Sequence, residues 1–137
     1  MMNEEANKAI VMRYNKEVIE GGNMELLKGL VSPYFVNHSG APGMPEGVDG
    51  LIYFFTQVLH RSFSDIKVEI KEMLAEGNKV ATRKEITATH TGQLMGIPPT
   101  GKAVTLKVID ILAVEHGRIS DHWGENNFIS VLQSLSQ

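Results

Sequence analysis

The chain has 137 residues, 42% of them hydrophobic and 21% charged, with a formal net charge of −3. Those values suit one folded domain spanning 1–137 and exclude the basic stripe that a nucleic-acid binder needs. There is no cysteine, which excludes disulfides, thiolate metal ligands and thiol nucleophiles.

The opening stretch "MMNEEANKAIVMRYNKEVIEGG" carries acids where a secretory leader would carry a basic segment and an apolar run. No apolar stretch reaches membrane-spanning length, so a cytoplasmic protein without membrane association is expected. The spacing of Ile10, Tyr14 and Val18 predicts a first helix over 4–20, stopped by Gly21 and Gly22. Asn23 is placed to cap a short helix, "MELLKGLV", that must end before Pro33. "YFVNHS" is aromatic and β-branched, hence a strand, and "GAPGMPEGVDG" has the composition of a loop. "LIYFFTQVLHRSF" reads as a third helix, apolar nearly all round and therefore expected to be well buried.

From Asp65 the period changes to alternation, with Ile66, Val68 and Ile70 on one face of a strand. "AEGNK" is a hairpin turn, "VATRKEITATHTG" and "VTLKVIDILAV" are the next strands, and the turn "EHGR" leads into "ISDHWGENN". Helices followed by a run of antiparallel strands predict an α+β fold with the helices on one side of the sheet. A curved sheet wrapped around a helix would leave a cavity at its open end.

Between the two central strands lies "GIPPTGK" at 96–102, close in pattern to a phosphate-binding loop. That reading fails, because Pro98 and Pro99 have no N–H to point at a phosphate and Ala103 stands where a metal-binding hydroxyl is needed. The following residues also alternate like a strand instead of opening a helix. The stretch reads as a stiff strand connection beside a pocket mouth, or as a connection with no other role.

Side chains alternate along a strand, so Val104, Leu106, Val108, Asp110, Leu112 and Val114 share one face. Asp110 therefore sits within an apolar row, an expensive place for a carboxylate unless it is hydrogen-bonded, paired or protonated. On the preceding strand Val80, Ile86, Ala88 and His90 are in phase, with Thr82 and Lys84 interrupting the series. A single inward Asp or His is more often a satisfied core group than a catalyst. Two facing one interior beside a stiff loop make Asp110 and His90 candidates for a functional pocket. On the last strand Ile119, Asp121, Trp123 and Glu125 fall in one phase, with Ser120, His122 and Gly124 in the other. Trp123 could close a pocket over a flat ligand or serve in the core or an interface. Asn37 and His38 are rim candidates, as is Met95 in the loop. His60 and His116 read as surface or rim residues, and no histidine or carboxylate cluster has metal-ligand spacing.

The segments "RYNKEVIEGGNMELLKGLVSPYFVNHSG", "HTGQLMGIPPTGKAVTLKVIDILAV" and "GRISDHWGENN" together resemble the SnoaL-like polyketide cyclase family, within the nuclear-transport-factor-2-like superfamily. The resemblance implies a cone-shaped α+β barrel in which a curved, mainly antiparallel sheet wraps around N-terminal helices. It also implies a homodimer and a cofactor-free, metal-free intramolecular aldol closure. By the same resemblance Asp110 matches the inward acid, with Asp121 as its rival, and His90 matches the pocket histidine. Asn37 and His38 fall among the other pocket polar groups.

Aldol closure needs a proton taken from carbon beside a carbonyl, an enolate stabilised, and a proton returned. A carboxyl in an apolar pocket is expected to have its pKa raised toward neutrality, so that it can do both, with histidine holding the oxyanion. Two other functions fit the pattern. One is a module that binds a small hydrophobic molecule without chemistry. The other is a dimeric interaction domain whose outer face, including Thr87, Thr89, Ile109 and Ile111, meets a partner sheet.

Overall fold

The computed structural model describes residues 3–40 and 42–137, so Ala41 of the glycine-rich loop lies outside the described residues. Helix α1 (Glu4–Arg13) continues through π-helical turns (Tyr14–Glu20). Its start is fixed by Asn3, whose side chain accepts the Ala6 N–H at 3.0 Å, and by Glu4 and Glu5 in the first turn. Its end is fixed by Gly22, at φ +70 and with the His60 ring 3.2 Å from where a Cβ would stand. Helix α2 (Met24–Leu30) begins where Asn23 accepts the Leu26 N–H at 3.0 Å, as the sequence predicts.

Strand β1 (Val31–Asn37) starts earlier than "YFVNHS" and includes Pro33. Proline is tolerated there because β1 lies at the sheet edge. Helix α3 (Val48–Tyr53) continues through π-helical turns (Phe54–Leu59) and a last turn (His60–Ser62). It is not buried all round: Phe55 and Leu59 face the core, while Tyr53 is 50% and Phe54 38% exposed.

Strands β2 (Phe63–Glu76), β3 (Lys79–His90), β4 (Ala103–Glu115) and β5 (Arg118–Asn126) follow. The β2–β3 turn uses Gly77 at φ 62, and the β4–β5 turn uses His116 at φ 52 and Gly117 at φ 76, the positive dihedrals of a tight hairpin. A C-terminal helix α4 (Phe128–Leu135), which the pattern above does not assign, buries Val131 and Leu135.

The sheet order is β1-β5-β4-β3-β2, with β1 parallel to β5 and all other pairs antiparallel. The sheet is curved but not closed, so β1 and β2 remain edges. The core sits between its inner face (Val68, Val80, Leu106, Leu112, Ile119) and the helices (Val11, Tyr14, Val18, Leu27). Among the described residues no helix is long and apolar enough to cross a membrane.

Candidate functional site

Asp110 occupies the middle of the inward face of β4 and is 3% exposed. Alternation put it there, and three neighbours keep it there. Strand β3 pairs Thr82 with Asp110 and Lys84 with Val108. Both β3 side chains therefore point inward beside the carboxylate. The Thr82 hydroxyl donates to Oδ1, and Lys84 Nζ donates to Oδ2 at 3.1 Å.

Lys84 is itself buried, and its ammonium also donates to Asn15 Oδ1 at 2.7 Å. Asn15 lies in the π-helical turns after α1, fully buried, with its Nδ2 bonded to Val11 O at 2.9 Å. A polar thread thus crosses the core from helix to sheet. The apparent interruptions of the apolar series at Thr82 and Lys84 are the partners that make a buried carboxylate tolerable.

The third neighbour comes from β5. Val114 pairs with Ile119 and Ala113 with Asp121, which leaves Ser120 as one extra residue, a β-bulge. The bulge reverses the phase of the rest of the strand. Leu112 then faces His122 and Asp110 faces Gly124, so His122 turns inward, while Trp123 lies opposite Ile111 on the outer face. His122 Nε2 is 3.5 Å from Asp110 Oδ2, and its Nδ1 is 2.9 Å from Asn37 Oδ1. The same Asn37 atom accepts the Ser39 N–H at 3.0 Å, which identifies it as the oxygen. His122 Nδ1 therefore carries a hydrogen, and Nε2 is the nitrogen turned to Asp110.

Burial is the largest influence on Asp110 and opposes its ionisation. The hydrogen bond from His122, the Lys84 charge and the Thr82 hydroxyl together outweigh it and hold the carboxyl well below the ordinary carboxylate range. This corrects the expectation of a raised pKa, since the site is apolar by strand pattern but carries its own cation. Burial first, and the Asp110 charge second, push the Tyr14 phenol above its usual value, so it stays neutral beside the cluster.

The expected pair of Asp110 and His90 is not brought together. Thr82, not His90, faces Asp110, and the eight residues from Thr82 to His90 cover about 26 Å at strand rise. His90 is fully buried and holds the 91–102 connection. Its Nδ1 accepts the Thr100 N–H at 3.3 Å and faces the Thr100 hydroxyl at 2.9 Å. Its backbone bonds Lys102 and Gly101. Met95, 67% exposed at φ 47, projects from that connection.

Asp121, His38 and Trp123 form a separate cluster on the outer side. His38 Nε2 is 2.9 Å from Asp121 Oδ2, and its ring stacks on Trp123 at 4.6 Å between centroids and 6° between planes. Hydrogen bonds from His38 and then Ser120 keep Asp121 below its usual pKa. Of the rim candidates only Asn37 reaches the Asp110 network, through His122. Lys84, Thr82, Asn15 and His122 were missed as site residues. Strict alternation already carried the first two inward, whereas nothing local in the sequence announced the bulge at Ser120.

A sequence profile of the SnoaL-like polyketide cyclase family matches residues 9–135. The chain belongs to that family. Solved structures agree with the fold. A candidate polyketide cyclase from Acidithiobacillus ferrooxidans superposes with a TM-score of 0.85 at 26% identity, covering 100% of this chain and 99% of that one. IdmH from Streptomyces antibioticus, also a candidate polyketide cyclase, gives 0.77 at 27% identity over 96% and 99%. AclR from Streptomyces galilaeus, a candidate hydroxylase, gives 0.86 at 25% identity over 98% and 83%. No curated protein matches the chain.

In this SnoaL-like chain the way to Asp110 is closed. Side-chain exposure is 4% for Asp110 and 2% for Lys84, against 25% for His122. Two shallow hollows lie among the described residues without Asp110 in their walls. One of about 370 Å³ lies between the 96–100 loop and α4 at Leu135 and Ser136. The other, of about 350 Å³, crosses β3, β4 and β5 beside Arg83, Lys107, Ile109 and Glu125. Solvent or a ligand meets the cluster first at His122.

Proposed function

We propose that this protein is a cofactor-independent enzyme of the SnoaL-like cyclase type, performing enolate chemistry on a small, hydrophobic, oxygenated molecule. Intramolecular aldol closure or isomerisation both fit. The observation that carries the reading is a single buried carboxylate, Asp110, whose one reachable partner, His122, aims a ring nitrogen at the same carboxylate oxygen. A carbonyl compound entering between them would set its α-hydrogen against Asp110 and its oxygen against Nε2 of His122, which donates there when both ring nitrogens carry hydrogen. Asp110 then takes the proton, and His122 stabilises the enolate oxygen, the role that His90 was expected to fill. The proton held on Asp110 is returned to the new alkoxide or, in an isomerisation, to a second carbon. No group beyond the chain is needed to balance either reaction.

We infer in addition that the working form is a homodimer. Across the outer face of the sheet Leu74, Ala81, Ile111 and Trp123 lie in one lateral row, with Ile109 58% exposed beside it. A second copy of that row would cover it.

The test is turnover of linear β-keto esters, read by mass spectrometry for the ring-closed isomer or its dehydrated form. Asp110→Asn should reduce the rate by about 10²–10⁴, with the fold confirmed by circular dichroism. Full turnover by Asp110→Asn would exclude the mechanism.

A further inference from the structure

We propose that His122 is a hinged cover on Asp110, pivoting on its hydrogen bond to Asn37, and that the carboxylate is unmasked only when the ring swings aside. This inference rests on the catalytic reading of Asp110 and concerns how that site is opened.

Three geometric observations carry it. First, the ring is held unequally: Nδ1 lies 2.9 Å from Asn37 Oδ1, whereas Nε2 lies 3.5 Å from Asp110 Oδ2. A contact at 3.5 Å is loose for a hydrogen bond, so the Asp110 side gives way while the Asn37 side holds. Second, the ring has a berth made for it. A Cβ on Gly124 would stand 2.9 Å from His122 Cε1, 3.0 Å from Nε2 and 3.2 Å from Asp110 Cβ. A side chain at that position would displace the imidazole from the carboxylate, and the Gly124 backbone does not take a positive φ that would give the glycine another purpose. Third, every other group around Asp110 is immobilised. Thr82 and Lys84 are buried on β3, and Lys84 is tied also to Asn15, which is bonded in turn to Val11. Tyr14 is buried and neutral. His122 is the one partner with a path to the outside.

The charges around this cover make it responsive. Asp110 and Lys84 face it from β4 and β3, Tyr14 and Asn15 lie behind them, and Asn37 faces the other nitrogen from β1. Outside the berth, His38 pairs with Asp121 and not with His122. With a hydrogen fixed on Nδ1, a second proton on Nε2 would face the carboxylate and close the cover. Once the ring leaves, Lys84 and Thr82 remain, but the principal hydrogen bond opposing the effect of burial is gone. Asp110 becomes a stronger base at the moment a ligand takes the imidazole's place.

The experiment is a carboxyl-carbon NMR titration of Asp110 in the ligand-free full chain, comparing wild type, His122→Gln and Gly124→Ala. Both variants should raise the Asp110 midpoint, by about one unit or more, from the loss of the His122 hydrogen bond. Gly124→Ala retains the histidine and displaces it, with a smaller crowding of Asp110 Cβ at 3.2 Å, so it decides the matter even where His122→Gln folds poorly. A midpoint unchanged in Gly124→Ala overturns the proposal. Turnover separates the two readings. An Asp110 titration that moves while Asp110→Asn stays fully active sinks the catalytic reading and leaves the cover standing. An unmoved titration with an inactive Asp110→Asn does the reverse.

Discussion

Replacing Lys84 by Met tests the buried pair most directly. The substitution keeps the length and apolar stem of the side chain but removes the ammonium, leaving Asp110 at 4% side-chain exposure without its cation. Breaking a buried pair from one side costs about 3–5 kcal/mol, because the remaining charge stays desolvated. For a chain of this size that lowers the melting temperature by roughly 10–17 °C. Chemical denaturation at neutral pH, followed by tryptophan fluorescence and by circular dichroism, measures it.

The pH dependence supplies the sign. In the wild type the folded-state pKa of Asp110 is depressed, so its contribution is complete above the ordinary aspartate value, about 3.9. That contribution is lost as pH falls through the range below it. In Lys84→Met burial gains weight over the remaining hydrogen bonds, so the carboxyl moves upward. As pH falls, the variant should therefore lose less stability than the wild type, and the gap between them should narrow in acid. Adding Asp110→Leu to Lys84→Met should restore most of the loss, since apolar replacement of both partners is close to neutral. A Lys84→Met protein within about 1 kcal/mol of wild type, with an unchanged pH slope, would falsify the account of Asp110 as a charged, cation-dependent group.

Two further outcomes are expected. Glu20 accepts the Val68 N–H at 2.7 Å, and Lys16 donates to Val68 O, so an ion pair from the helix occupies both backbone groups of one residue on the sheet edge. Glu20→Ala should cost about 1 kcal/mol and speed hydrogen exchange at the Val68 amide more than at other β2 amides. The Val68 hydrogen bond is also the chief cause of the lowered Glu20 pKa, with burial opposing it and Lys16 assisting. That increment is therefore present above the usual glutamate range and is lost as pH falls below it. If the inferred dimer forms, Ile111→Glu, in the middle of the outer apolar row, should leave the chain monomeric in light scattering without lowering far-UV ellipticity. A wild-type chain that is already monomeric at working concentration contradicts the dimer.

How far the site was legible depends on which physical rule governed each residue. Asp110 was found because strand alternation is strict within an unbroken ladder, and β3 and β4 pair from Lys79 to Thr89 without a shift. The same rule placed Thr82 and Lys84 inward, but a lysine in an apolar row reads as an interruption until its counter-charge is recognised one strand away. The caps at Asn23 and Gly22 were visible because they act within a few residues. The exposed face of α3 was not, since an aromatic-rich helix does not say which of its sides the protein will cover.

His90 and Trp123 show two different limits. His90 shares a face with Asp110, as alternation required, yet a shared face is not proximity: register fixes the distance, and the long 91–102 connection hides the register. Trp123 shares a phase with Ile119 by simple alternation, yet the two lie on opposite faces because one inserted residue, Ser120, reverses everything after it. The Ser120 hydroxyl lies 2.7 Å from Asp121 Oδ1 and 3.4 Å from Ala113 O, so the bulged residue is bonded back into the sheet. That single insertion exchanges the partners of the site. It sends Asp121 and Trp123 out to meet His38, and it brings His122 in over Asp110, where Gly124 leaves room for the ring. Were Ser120 instead paired as an ordinary ladder residue, every later residue of β5 would move by one place, and Trp123 would face inward opposite Asp110, against a carboxylate it could not neutralise.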